Sequence, residues 1–271
     1  MLNLIIDALA AGRVTEEVPG PRAGWAAAAV GRFDLASSAP EALRAAIELC
    51  PAEAIAVERS GGKAVAVIDD GRCVQCGLCA EGDAAAFKNV HEEPAMGRSA
   101  ASLRRRFPLE GFEGASLGPD FALDAHDRVS REGARLAEVV LKRFRRSLHV
   151  RHLDAGGCNG CDWELNQLQA PQYDVQRFGV DFVASPRHAD VLLVTGVMTR
   201  NLELALVRTL DAMPRPRLVV AMGACAISGG VFGTSYASRG GADRVVAVDG
   251  YLGGCPPRPW AMIRALRMVL E

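Results

Sequence analysis

"ADVLLVTGVMTRNLELALVRTLDAMPRPRLVVAMGACAISGG", residues 189–230, holds a strand, a helix and a second strand in one stretch. "DVLLVTG" and "RLVVAMGAC" are continuous apolar runs, the pattern of strands buried on both faces. "NLELALVRTLDAM" fits a helix between them. The alternation extends both ways. "LHVRHLDAGG" and "VDFVASP" precede it as strands, "RVVAVDGYLGGC" follows as another, and "RPWAMIRALRMVL" closes the chain as a helix. Such alternation predicts an α/β fold, a parallel sheet with helices on both faces. Ligands of these sheets sit beyond the carboxyl ends of the strands. Cys158, Cys225 and Cys255 all fall there, and Cys161 lies three residues beyond Cys158.

The rest of the composition narrows the function. A chain of 271 residues with 49% hydrophobic residues can fill two cores. A formal charge of −1 gives no argument for nucleic acid as a partner. No apolar run approaches the roughly 20 residues of a bilayer span. "MLNLIIDALAAGRVTEEVPG" has neither a basic n-region nor a twin arginine, so no export signal is expected and the protein is read as cytoplasmic. Eight cysteines, five of them in C-x2-C units, without a secretory signal, point to metal rather than disulfides.

Upstream of the sheet, residues 1–29 are expected to form a short helix and a Pro/Gly turn. "SSAPEALRAAIELCP" predicts a helix with Ser38 as N-cap, Glu41 three residues on and Pro40 in the first turn. "AIAVERSGGKAVAVID" predicts two strands about a Gly-Gly turn. Residues 91–147 read as a linker with local structure and then an amphipathic helix, whose apolar face carries Val129, Leu136, Val140 and Phe144. The lysine and arginines at its end favour the helix dipole, and are either solvated or a partner contact.

"CVQCGLCAEGDAAAF", residues 73–87, opens like an iron–sulfur motif, yet Asp83 and Ala84 stand where C-P would complete it. A C-P pair occurs upstream, at Cys50 and Pro51. In two-cluster ferredoxins the C-P cysteine binds the cluster whose other three ligands come from the opposite motif. Cys50 is therefore expected to join Cys73, Cys76 and Cys79. The other cluster would need cysteines at 40, 43, 46 and 83, which hold Pro40, Leu43, Ala46 and Asp83. Residues 30–90 thus resemble a small α+β bacterial ferredoxin domain reduced to one [4Fe–4S] cluster. Structural zinc is the alternative for four thiolates.

Glycines flank each cysteine of the second set, Cys158, Cys161, Cys225 and Cys255, as suits a cluster held close to bent backbone, with zinc again the alternative. "DAGGCNGCDWE", "RFGVDFVASPRHADVLLVTG", "MPRPRLVVAMGACAISGG" and "VDGYLGGCPPRP" resemble the [NiFe]-hydrogenase small subunit and its relative in respiratory complex I, most of all the membrane-bound, complex-I-like hydrogenases that include formate hydrogenlyase. For residues 148–271 the resemblance implies a flavodoxin-like fold holding a second [4Fe–4S] cluster against a large catalytic subunit, with further membrane-complex subunits as partners and the inner face of the cell membrane as the location. C-N-G-C follows the hydrogenase arrangement; complex I has two adjacent cysteines. The branch often supplies the ferredoxin as a separate chain, so fusion here implies a tether that raises the effective concentration of one centre near the other.

Outside the cysteines, Glu164 matches a family glutamate near the large subunit and is read as a proton relay or a plain helix-start carboxylate. Arg187 is read as a partner contact or a surface ion pair, and His149 and His152 lack the companions a metal site needs. No nucleophile set or paired carboxylates emerge, so substrate chemistry is expected on another chain. A complex-I-type subunit whose partner lacks nickel, and a redox sensor or zinc-held scaffold, stay open as alternatives.

Overall fold

The computed structural model describes residues 32–81, 86–90, 95–112 and 125–271. The expectations placed on residues 1–29, Asp83 and Ala84 lie outside the described residues. β1 (Arg32–Leu35) leads to α1 (Pro40–Leu49). The N-cap of α1 is Ala39, not Ser38, and no side chain caps it. Pro40 decides this: a proline fits the first helical position, and it drives the residue before it into extended backbone. Leu43 and Ala46 face the core, and the helix stops at Cys50, whose extended backbone precedes Pro51.

β2 (Ile55–Ser60) and β3 (Lys63–Asp69) form an antiparallel hairpin. Its two-residue loop, Gly61-Gly62, has positive φ at both positions, which matches the twist of the strands it joins. β4 (Phe87–Val90) pairs antiparallel with β1. The local structure expected within residues 91–147 begins with β5 (Met96–Gly97) and β6 (Arg104–Pro108), the latter completing a three-stranded sheet in the order β2-β3-β6. Phe33, Leu35, Leu43, Ile55, Ile68 and Phe87 form the core of this region, and Cys50, Cys73 and Cys79 pack against it. Arg105 of β6 donates to Asp34 and to both carboxylate oxygens of Asp70, at 2.7 and 3.0 Å, and Arg32 reaches Asp70 at 3.0 Å. These pairs fasten β1 to the end of β3, where the loop bearing Cys73 begins.

α2 (Ala125–Phe144) precedes β7 (Leu148–Asp154), and α3 (Gly160–Gln167) follows it. Next come β8 (Val180–Phe182), β9 (Val191–Thr195), the short β10 (Met198–Thr199), α4 (Arg200–Ala212), β11 (Leu218–Met222) and α5 (Ala224–Ser228). β12 (Ser238–Gly240) pairs with β10, and β13 (Gly250–Leu252) and α6 (Pro259–Leu270) complete the chain. The large sheet runs β5-β13-β11-β9-β7-β8. Its last five strands are parallel, and β5 is an antiparallel edge. Counted along the chain, the parallel strands lie in the order 2-1-3-4-5, the flavodoxin-like arrangement that the resemblance implies.

Both faces are covered. Val191 and Leu193 of β9 pack with residues of α2 and α6, while Leu192 and Val194 pack on the side of α4 and α5. Each such buried side chain contributes about 1.5–3 kcal/mol. On α2, Val129, Leu136 and Val140 are buried and Phe144 half-buried, as the periodicity predicts. Two arginines near its end bind within the chain: Arg143 donates to the Leu270 carbonyl and Arg146 grips Asp190 at 2.8 and 2.9 Å. The strand expected over "RVVAVDGYLGGC" is shorter than its apolar run. Val245 and Val246 give their amides to the Ala242 carbonyl in a turn, and pairing with β11 begins only when Asp249 meets Val219. No described helix is long and apolar enough to cross a membrane.

Gly133 marks the tightest packing of α2, since a Cβ there would stand 2.2 Å from the Phe178 ring. In an open helix Gly→Ala is favourable by about 1 kcal/mol. Here the sign should reverse, with Gly133→Ala losing about 1–3 kcal/mol to overpacking, read as a lowered denaturant midpoint.

Candidate metal centres

The first cysteine set is assembled from two segments. Cys50 ends α1, and Cys73, Cys76 and Cys79 follow β3 in a loop that closes with a 3-10 turn, Leu78–Ala80. All four line one cavity with Phe33, Ile55 and Ile68. The sulfurs sit among backbone donors: the Ala54 amide donates to Cys50 Sγ at 3.2 Å, and the Gln75 amide is directed at Cys73. Burial pushes the Cys73 and Cys79 thiols up to about 12, helped by the charge of Asp70 at Cys73 and that of Cys50 at Cys79. The Cys73 and Cys79 thiols, so buried, resist ionisation unless a cation joins them.

The second set collects at the carboxyl ends of the parallel strands. Cys158 lies after β7, Cys161 in the first turn of α3, Cys225 in α5 directly after β11, and Cys255 after β13. Burial raises the Cys161 thiol most, and the charges of Cys225, Cys255 and Cys158 add to it. The Cys225 thiol is pushed up to about 11 by burial and then by Cys255 and Cys158. Gly223, with φ +89, comes so close to Cys161 that a Cβ would lie 2.7 Å from its sulfur. Residues of any other type would force the strand end and the cysteine apart.

The two sets adjoin. The charge of Cys76 is felt at Cys255, and the Cys255 amide donates to Oε1 of Gln75 at 3.4 Å. Among the described residues no group of three or more His, Cys, Asp or Glu is drawn to the spacing of a single metal ion.

The other candidates fall as follows. Glu164 is the fifth residue of α3, so the first-turn carboxylate is Asp162. Glu164 instead shares its surroundings with Tyr173 and Arg258, and burial raises its pKa against the pull of Arg258. Arg187 is exposed in the turn entering β9, at the strand end opposite the cysteines, and forms no ion pair among the described residues. His149 is held by the His188 carbonyl and Ser147.

His152 has companions that sequence spacing does not reveal. Its Nε2 lies 2.8 Å from Thr195 Oγ1 and 3.0 Å from Asp162 Oδ1, and Thr195 donates to the same carboxylate at 2.9 Å. Register brings them together: His152 and Thr195 sit on adjacent parallel strands, β7 and β9, and Asp162 descends from α3 above them. Burial lowers the pKa of His152, and it outweighs the opposing charges of Asp162 and Asp154. Gln75 was also not legible, since only the fold puts it beside Cys255.

Comparison with known proteins places these sites in context. The family profile described as NADH ubiquinone oxidoreductase, 20 kDa subunit, matches residues 158–269. Formate hydrogenlyase subunit 7 of Escherichia coli is 42% identical over 142 residues, 52% of this chain and 56% of that protein. A probable membrane-bound hydrogenase subunit of Pyrococcus furiosus is 44% identical over 138 residues, 51% of this chain and 81% of its own length. The chain thus spans little more than half of the first relative and most of the second. Among solved structures, a chain of the membrane-bound sulfane sulfur reductase, an archaeal respiratory membrane complex, is 32% identical with a TM-score of 0.43, covering 50% of this chain and 74% of that one.

Two outcomes follow from the electrostatics. In the metal-free chain at pH 8, iodoacetamide should label exposed Cys76 and Cys158 well before Cys73, Cys79 and Cys161, as peptide mass spectrometry would show. His152 should titrate below its ordinary 6.5 in an NMR pH series. The unfolded chain then takes up that proton first, so this group favours the folded state above about pH 6.5 and loses that contribution as pH falls.

Proposed function

Because the chain belongs to the NADH ubiquinone oxidoreductase 20 kDa subunit family, we propose that it is the electron-transferring subunit of a hydrogenase-like oxidoreductase. In this reading Cys50, Cys73, Cys76 and Cys79 hold one [4Fe–4S] cluster, and Cys158, Cys161, Cys225 and Cys255 hold a second. The observation that carries it is the gathering of eight sulfurs into two fours from segments far apart in sequence.

The donor sets fit clusters better than zinc. Zinc usually takes its cysteines in separated pairs, whereas three in C-x2-C-x2-C with a remote C-P pair favour a cluster. A cube of iron and sulfide supplies positive charge to several spaced thiolates and one-electron redox chemistry when bound. The protein's part is electrostatic. Burial around Cys73, Cys79 and Cys161 favours the state of lower charge, while the amides of Ala54 and Gln75 offset charge on Cys50 and Cys73.

Substrate chemistry then belongs to a large catalytic subunit, with further subunits anchoring the assembly at the membrane, as the descriptions of the relatives support. Exposed aromatics support a docking face beside the second set: Trp163 is 69% exposed on α3, next to Asp162, and Phe232 and Tyr236 are 66% and 94% exposed in the loop after α5. Aromatic side chains of this kind are enriched where protein partners meet.

Anaerobically purified protein should be brown and carry about eight iron atoms, two cubanes' worth. Cys50→Ser should lose the N-terminal centre and keep the C-terminal one. Reduced Cys50→Ser with both electron paramagnetic resonance signals intact overturns the assignment of Cys50, and zinc in place of iron overturns the reading as a whole.

A further inference from the structure

Gln75 stands between Cys73 and Cys76 yet uses its side chain elsewhere. Its backbone is left-handed, with φ +55, a conformation that non-glycine residues adopt uncommonly. Held so, its own amide is directed at Cys73, while its Oε1 accepts from the backbone amide of Cys255, 180 residues away, at 3.4 Å. One residue thereby contacts both cysteine sets. The surroundings make the contact a fixed one. Ser228 Oγ donates to the Gly71 carbonyl at 3.2 Å, and Gly253 packs so tightly that a Cβ would lie 2.8 Å from the Asp70 carbonyl.

The loop at Cys255 has few amides to give. Gly253 donates to the Ala95 carbonyl at 2.8 Å, and Pro256 and Pro257 have no N–H. The Cys255 amide is thus one of few donors at this end of the second set, and Gln75 engages it. Hydrogen bonds near cluster sulfurs are one of the levers on potential.

We propose that Gln75 is the positioning residue that ties the loop of the first centre to that of the second and governs passage of an electron between them. This rests on the two-cluster reading above. The step is a one-electron exchange in which one centre is oxidised and the other reduced, and no bond is made or broken. Gln75 acts by fixing the Cys255 loop beside Cys76 and by engaging the Cys255 amide.

The test compares the purified full chain with Gln75→Gly and Gln75→Glu. Glycine removes the acceptor and relaxes the left-handed backbone, so folding is preserved; glutamate keeps an acceptor and adds a charge. Gln75→Gly should speed hydrogen–deuterium exchange in the peptide containing Cys255 and slow electron transfer between the centres about tenfold, the order seen when outer-shell partners of metal ligands are lost. Gln75→Glu, which retains the acceptor, should rescue slow exchange, and its added charge should lower the midpoint potential of the C-terminal centre. Exchange or transfer unchanged in Gln75→Gly, or an unshifted potential in Gln75→Glu, overturns the proposal alone. Wild-type protein without two spectroscopically distinct clusters overturns the earlier reading, and this inference with it.

Discussion

Burial of the cysteine sulfurs, which disfavours their charged form, is the constraint around which this chain is arranged. Cys73 and Cys79 are pushed up to about 12 by burial and by neighbouring thiolates, and Cys161 is raised by the same two causes. Thiols so placed are poor acids and poor stabilisers. Their grouping becomes favourable when a positively charged core replaces four protons, and the folding of the loops is then linked to the binding of that core. Everything nearby serves the grouping: the stop of α1 at Cys50, the loop after β3 and the three strand ends of the parallel sheet.

The scaffold reaches the same result by different means on its two sides. Around the first set a small core and the Arg32–Asp70–Arg105–Asp34 network fasten β1, β3 and β6 together. A buried network of this kind is strongly destabilising to break, because a lone charge would be left behind. Around the second set the frame is the doubly covered sheet, whose strand ends are held by the cores on both faces. The antiparallel pairing of β5 with β13 brings the upstream segment to the sheet edge, one strand away from the loop of Cys255.

The two cysteine sets adjoin along a packed seam. The contacts between Gln75 and Cys255, Ser228 and Gly71, and Gly253 and Asp70 all lie along this seam. Trp163, Phe232 and Tyr236 are exposed in segments that follow cysteines of the second set.

The parallel strands, the position of the cysteines beyond their ends and the apolar face of α2 were all legible in the sequence, because each depends on periodicity over a few residues, whereas the flavodoxin-like strand order was implied only by the family resemblance. Apolar runs specify buried parallel strands, and a residue just after such a strand must lie at its carboxyl end. The start of α1 was misread at Ser38 because the preference of proline for the first helical position outranked the capping pattern. The last strand was overestimated because Val245 and Val246 donate within a turn rather than to β11. Composition and spacing therefore determined which residues are chemically able to act, but not which meet. His152 with Thr195 and Asp162, Arg105 with Asp70, and Gln75 with Cys255 were decided by the tertiary structure alone, since strand register and loop packing join residues whose separations along the chain carry no repeating signal.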